Sequence, residues 1–191
     1  MKQLIIYSHP NPASFNHAIL ETARETLTAK GDEVIVRDLY ALNFDPVLKG
    51  SDFEKLMSGQ TTADIKTEQD HIRWADSLVF IYPIWWVGMP AMMKGYIDRI
   101  FTQGFAFNFG ANGVEKLLTG KSAVIFNTQG QPGEYYEACG MFDTFKKTSD
   151  FGIFEFCGIN ITQHSFFCAV PYVDDATRKG YLEEVKKVLA G

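Results

Sequence analysis

Positive charge is scarce in this chain. Eighteen Lys and Arg stand against 23 Asp and Glu, a formal net charge of −5. That argues against a general nucleic-acid binder, which needs a clustered basic face. It does not exclude small anionic ligands, because backbone N–H groups at a helix start hold phosphate without a basic protein. Cysteine is scarce too. Cys139, Cys157 and Cys168 form no C-x-x-C pair, the pattern of free thiols in a reducing compartment. The four histidines, His9, His17, His71 and His164, show no ligand spacing, so no metal site is expected. No apolar run reaches membrane-span length, and "MKQLIIYSHP" holds too short an apolar stretch for a signal peptide. A cytoplasmic protein without membrane insertion is the expectation. No G-x-G-x-x-G fingerprint occurs, which argues against a Rossmann NAD site. "TGKS" (119–122) lacks the upstream glycine of a P-loop, since Glu115 stands there, and a strand follows it. Repeats, linkers and low-complexity segments are also missing, so residues 1–191 read as one domain.

What the chain has is aromatic side chains, 14% of residues with sixteen Phe, and a regular alternation of patterns. "QLIIYSH" (3–9), "DEVIVRDL" (32–39), "SLVFIYP" (77–83), "KSAVIFNT" (121–128) and "INITQHSFFCAV" (159–170) read as strands. Between them lie helical spacings: a helix from Phe15 stopping near Gly31, then "IKTEQDHIRWAD" (65–76), "AMMKGYIDRIF" (91–101) after Pro90, a helix over 138–158 with a break near Gly152, and "DATRKGYLEEVKKVLA" (175–190) capped by Asp174 or Asp175. Residues 40–62 read as a long excursion with one helical turn around "DFEKLM", a length that suits function or an interface. Nearly continuous apolar strands alternating with helices predict an α/β fold with a flavodoxin-like, doubly wound, five-stranded parallel sheet of order 2-1-3-4-5.

In such a sheet ligands sit beyond the carboxyl ends of the strands. That rule selects "SHPNPASFN" (8–16), "PIWWVGMP" (83–90), "NTQGQPGEYY" (127–136) and "VPYVDD" (170–175). In the first, Ser14 or Asn16 caps a helix whose N–H groups and dipole favour phosphate, with His9 beside it. In the second, Trp85 and Trp86 offer flat walls; in an extended segment they point opposite ways. In the third, Gly130 and Gly133 allow close backbone approach to a planar ring. One phosphate-like loop and two ring-like loops predict a flavin nucleotide.

The stretches "HPNPASFNHAI", "RDLYALNFDPVL", "PIWWVGMPAMMKGYIDRIF" and "NTQGQPGEYY" are similar to those of the flavodoxin-like NAD(P)H:quinone reductases of DT-diaphorase, modulator-of-drug-activity and general-stress-protein type. The resemblance runs from Met1 to about Gly158 and more weakly beyond. It implies two-electron hydride transfer from NADPH or NADH through a flavin to a quinone-like acceptor, in a cytoplasmic homodimer. FAD is implied by the full "HPNPASFN" pattern, with FMN, used by shorter bacterial relatives, as the alternative. A flavin-bearing ancillary subunit docked on a membrane transporter, and a one-electron carrier, are the other readings. The resemblance places His9, Ser14, Phe15 and Asn16 at the phosphate and nucleotide end. It places Pro83, Ile84, Trp85 and Trp86 along the isoalloxazine, with Thr128, Gln129 and Gly130 as the second ring loop. Tyr135 would be catalytic, stabilising charge on the reduced flavin. Phe107, Phe109 and Phe156 would shape the substrate pocket from across a dimer. The chain departs from the family at Met141, where larger members carry a proton-transferring histidine, and at Gln129, where a glycine pair is usual.

Overall fold

The computed structural model describes all of residues 1–191. Five parallel strands form the central sheet: β1 (Lys2–Tyr7), β2 (Glu33–Asp38), β3 (Ser77–Pro83), β6 (Ser122–Thr128) and β7 (Asn160–Phe167). Their order is β2-β1-β3-β6-β7. The strands expected fourth and fifth carry the labels β6 and β7 because a separate antiparallel hairpin, β4 (Phe107–Gly110) and β5 (Gly113–Lys116), precedes them. β3 is buried at all seven positions, as a central strand covered on both faces must be.

Helices cover both faces. On one side pack α1 (Phe15–Ala29) and α7 (Asp175–Ala190), around a core that includes Ile5, Leu27, Phe126 and Val185. On the other lie α3 (Ala63–Trp74), α4 (Ala91–Ile100) and the segment after β6, around Leu4, Phe80, Tyr96 and Phe154. Asp174 caps α7 by accepting from the Thr177 N–H at 2.8 Å.

Three expectations need correction. The excursion holds a two-turn helix, α2 (Gly50–Met57), not a single turn. Its anchor is Arg99, whose buried guanidinium meets Asp52 at 3.1 Å, Asp64 at 2.8 Å and the Asp45 carbonyl at 2.9 Å. Gly95 explains itself here: a Cβ would stand 2.1 Å from the Pro46 carbonyl oxygen, so only glycine lets the excursion lie on α4. Second, residues 107–116 form the hairpin, which the spacing did not reveal because its strands are four residues long and mostly exposed. Third, the expected helix over 138–158 is three pieces. α5 (Gly133–Ala138) begins five residues early after Pro132. Gly140, at φ 67°, breaks the chain before α6 (Met141–Lys146), a left-handed position suited to glycine. A π-helical stretch, Lys147–Glu155, follows and turns Ser149 and Asp150 into the interior.

Candidate active site

The loops beyond β1, β3, β6 and β7 are tied into one surface by their own hydrogen bonds. Asn16 Nδ2 donates to Thr128 Oγ1 at 2.7 Å, joining α1 to the end of β6. The Ile84 N–H donates to the Thr128 carbonyl at 2.8 Å, and the Gln129 N–H to the Phe167 carbonyl at 2.9 Å. The His9 and Trp85 rings meet edge-on with centroids 5.7 Å apart. The structure therefore brings together His9, Asn16, Ile84, Trp85, Thr128 and Gln129, all selected from the sequence.

The first loop ends in a capped helix. Ser14 sits in extended backbone, and its hydroxyl accepts from the His17 N–H at 3.2 Å. Ser14 is the cap; Asn16 is instead buried inside the first turn. The Phe15 and Asn16 N–H groups begin the helix and have no intrahelical acceptor. His9 Nδ1 is engaged by the Asn11 backbone, 3.1 Å from its N–H and 3.2 Å from its carbonyl oxygen, and Nε2 has no partner in the protein. Partial burial lowers the His9 pKa.

The second loop differs from the expected extended segment. Trp85 and Gly88 exchange two backbone hydrogen bonds of 3.1 Å, and Trp86 and Val87 take φ of 48° and 62°. This is a tight turn of the I′ kind, normally built from Asn and Gly. A β-branched Val at such a φ carries strain of about 1–2 kcal/mol. Neither tryptophan enters the core. Trp86 is fully exposed and Trp85 is 42% exposed, whereas Pro83 and Ile84 are buried beneath them. The Trp86 and Val87 N–H groups at the turn's tip have no acceptor in the protein.

In the third loop the Gln129 N–H is committed to Phe167, so it is not a free ring donor; the Gly130 N–H has no acceptor. Gln129 Nε2 donates to Cys168 Sγ at 2.9 Å. Tyr135, on α5, is 61% exposed, and Met141 opens α6. Phe107, Phe109 and Phe156 form a ring cluster, with Phe107 5.5 Å from Phe109 and 5.2 Å from Phe156.

Three buried acceptors at these strand ends lack any partner: Ser8 Oγ, Asn16 Oδ1 and Gln129 Oε1. Ser8, wholly buried at the end of β1, was passed over by sequence reasoning; its signal was a polar residue closing an apolar strand. Asn127, the polar residue in "SAVIFNT", was missed for the same reason. Beneath the turn lies a cavity of about 480 Å³ bordered by Tyr82, Ile84, Val87, Asn127 and Ser149. The larger cavity, about 630 Å³, lies elsewhere, between α2, Arg99 and Phe107.

Free N–H donors at one helix start and at two loop tips fit a ligand with an anionic end and a planar ring. A flavin nucleotide has both. A family described as having the flavodoxin-like fold matches residues 1–189. An uncharacterized NAD(P)H oxidoreductase of Haemophilus influenzae is 34% identical, over 96% of this chain and 91% of that protein. A putative quinone reductase of Klebsiella pneumoniae superimposes with TM-score 0.93 at 30% identity, covering 99% of this chain and 83% of that one. The NAD(P)H:quinone oxidoreductase of Methanothermobacter marburgensis gives 0.87 at 28% identity, covering 100% and 94%.

Proposed function

The chain belongs to the flavodoxin-like NAD(P)H:quinone reductase family, and from that membership we propose that it is a flavin-dependent NAD(P)H:quinone oxidoreductase whose reaction centre is the surface formed by the loops after β1, β3, β6 and β7. The observation that carries the reading is the convergence of unpaired backbone donors at those strand ends: the Phe15, Asn16, Trp86, Val87 and Gly130 N–H groups.

The flavin supplies the chemistry of accepting a hydride from NAD(P)H and passing it to a quinone-like acceptor. The chain's residues hold and orient it. His9 Nε2 and the first-turn N–H groups of α1 would take the phosphate, and Pro83 with Ile84 would lie along the ring. The Trp86, Val87 and Gly130 N–H groups, and the Tyr135 hydroxyl, are preorganised donors for a ring edge that gains negative charge. FAD is the proposed form, on the likeness of "HPNPASFN" to FAD-binding members.

A homodimer completes the site. Phe53, Met57 and Phe109 are 54%, 89% and 66% exposed, and they flank the 630 Å³ cavity and the aromatic cluster. A second copy covers this apolar ground.

One preparation tests the reading. Purified protein is expected to release FAD on denaturation, resolved from FMN by chromatography, to reduce menadione with NADPH or NADH over many turnovers, and to sediment as a dimer. Protein reconstituted with either flavin that fails to reduce quinones with both nicotinamides overturns it.

A further inference from the structure

Behind the ring loop lies a buried polar chain that the reading above does not use. His164, on β7, is 2% exposed at its side chain. Its Nδ1 lies 2.9 and 3.1 Å from the two Asp150 carboxyl oxygens, and its Nε2 lies 2.7 Å from Asn127 Oδ1. Asn127 cannot be turned round, because its Nδ2 donates to the Tyr82 carbonyl at 3.0 Å. So Nε2 must be the donor to Asn127. Nδ1 faces a carboxyl group, whose other neighbour is the Ser149 hydroxyl at 2.6 Å. With a neutral ring and an ionised carboxylate, a lone pair at Nδ1 would face a carboxylate oxygen. The pair is therefore built around one further proton, shared between Nδ1 and Asp150.

Its location gives that proton a use. Ser149, Tyr82 and Asn127 border the 480 Å³ cavity together with Ile84, Val87 and Gly88 of the strained turn. On the opposite side His164 borders a cleft of about 460 Å³ open to solvent, with Glu134, Glu137 and Glu184. The pair stands between a reaction-side cavity and a solvent-side cleft. The π-helical stretch, an irregularity frequent at functional sites, is what aims Ser149 and Asp150 inward. The titratable groups around it are Tyr82 of β3, whose burial keeps the phenol protonated, Lys94 of α4 across the cavity, the two α5 glutamates, Glu184 of α7 and Cys168 just beyond β7.

We propose that the Asp150–His164 pair is the proton store for acceptor reduction in this chain, in place of a histidine at position 141, and that it delivers through Ser149. The inference rests on the quinone-reductase reading. Hydride transfer gives the quinone two electrons and one proton equivalent; the hydroquinone needs one proton more. The Nδ1 hydrogen moves to the Asp150 carboxylate, the carboxyl hydrogen to Ser149 Oγ, and the Ser149 hydroxyl hydrogen, turned away from the Phe145 carbonyl that lies 2.9 Å off, to the acceptor oxygen. No electrons leave the pair. The ring is left neutral with Nδ1 facing a carboxylate, which draws the replacement proton in from the cleft. His164 and Asp150 act through Ser149 and are positioning residues.

Asp150→Asn preserves the hydrogen-bond geometry, since the amide donates to Nδ1, but removes the shared proton. Ser149→Ala keeps the pair and cuts the path, and serves if the first variant folds poorly. Nitrogen-15 spectra of the histidine rings at about pH 7.5 are expected to show hydrogen on both His164 nitrogens in the wild type and in Ser149→Ala, and on Nε2 alone in Asp150→Asn. Stopped-flow reoxidation by menadione is expected to be nearly flat with pH in the wild type. In both variants it should be at least tenfold slower at about pH 8 and recover as the pH falls. A singly protonated His164 in the wild type, or variant pH profiles that overlay the wild type's, overturns the inference and leaves the reductase reading standing. Absence of quinone reduction in the wild type overturns the reading, and this inference with it.

Discussion

The two ends of the central sheet are built from the same strands and are opposite in character. At the amino end every notable polar group has a partner. The Met1 ammonium meets Asp32 at 2.7 Å, Gln3 Nε2 meets the other Asp32 oxygen at 3.0 Å, the Lys2 N–H meets Asp76 at 2.9 Å, and Lys121 Nζ closes on the Arg73 and Ala75 carbonyls at the end of α3. At the carboxyl end Ser8, Asn16 and Gln129 hold buried oxygens with none, and Trp86, Val87 and Ala169 sit at positive φ. A buried unpaired acceptor costs about 1–3 kcal/mol, and strain adds to it. Strain and unpaired polar groups concentrate at the end of a sheet that carries function. The difference separates what holds the fold from what performs the chemistry.

The sharpest way to break the comparison is Asn16→Leu. The side chain keeps its volume but loses the Thr128 bond that ties the first turn of α1 to the end of β6. Flavin affinity is expected to fall about thirtyfold, about 2 kcal/mol, read by fluorescence titration of the apoprotein. A matched loss of affinity on altering Asp32 at the amino end would erase the distinction between the ends. Tyr135→Phe follows. An exposed hydroxyl that donates only to developing charge should leave flavin binding unchanged and slow reduction by NADPH about tenfold, about 1.4 kcal/mol. Unaltered single-turnover reduction removes Tyr135 from the catalytic set.

The amino end was easier to read than the carboxyl end, for a physical reason. Strand positions follow from apolar runs, and β3 and β6 fall within a residue of where "SLVFIYP" and "KSAVIFNT" put them. The loop positions followed from the sheet rule, and Asn16 of the first loop lies 2.7 Å from Thr128 of the third. The shape of the loops was not legible. Nothing in "WWVG" signals a I′ turn, because Trp and Val are residues that such a turn disfavours. The Asp150–His164 contact spans a π-helical stretch, whose register no 3.6-residue periodicity can find. Ser8 and Asn127 were hidden as lone polar residues closing apolar runs.

The strained turn offers a smaller test, and one of opposite sign. Val87→Asn places at the turn a residue that tolerates left-handed backbone. The protein without flavin should gain about 1 kcal/mol, raising Tm by roughly 2–4 °C, while flavin affinity stays level or falls. A variant that is no more stable than the wild type would mean that the turn stores no strain, and the contrast between the ends would rest on the unpaired oxygens alone.

The smallest effect belongs to the amino end. Hydrogen bonding from the Met1 ammonium, helped by Gln3 and Lys30, depresses the Asp32 pKa against a counteracting desolvation. A depressed folded-state pKa means that the carboxylate stabilises the fold above its unfolded value near pH 3.9. That contribution fades as the pH falls through the lower folded value. The ammonium partner is 56% exposed, so screening holds the gain below about 1 kcal/mol. Asp32→Asn should therefore lower Tm slightly at neutral pH, and the gap to the wild type should close as the solution is acidified below the ordinary carboxylate range. Flavin affinity and quinone turnover should not change at any pH, because the substitution lies at the opposite end of β2 from the loops. Altered turnover in a variant that still melts cooperatively would couple the two ends through the sheet, and the division between a stabilising end and a reacting end would then have to be abandoned.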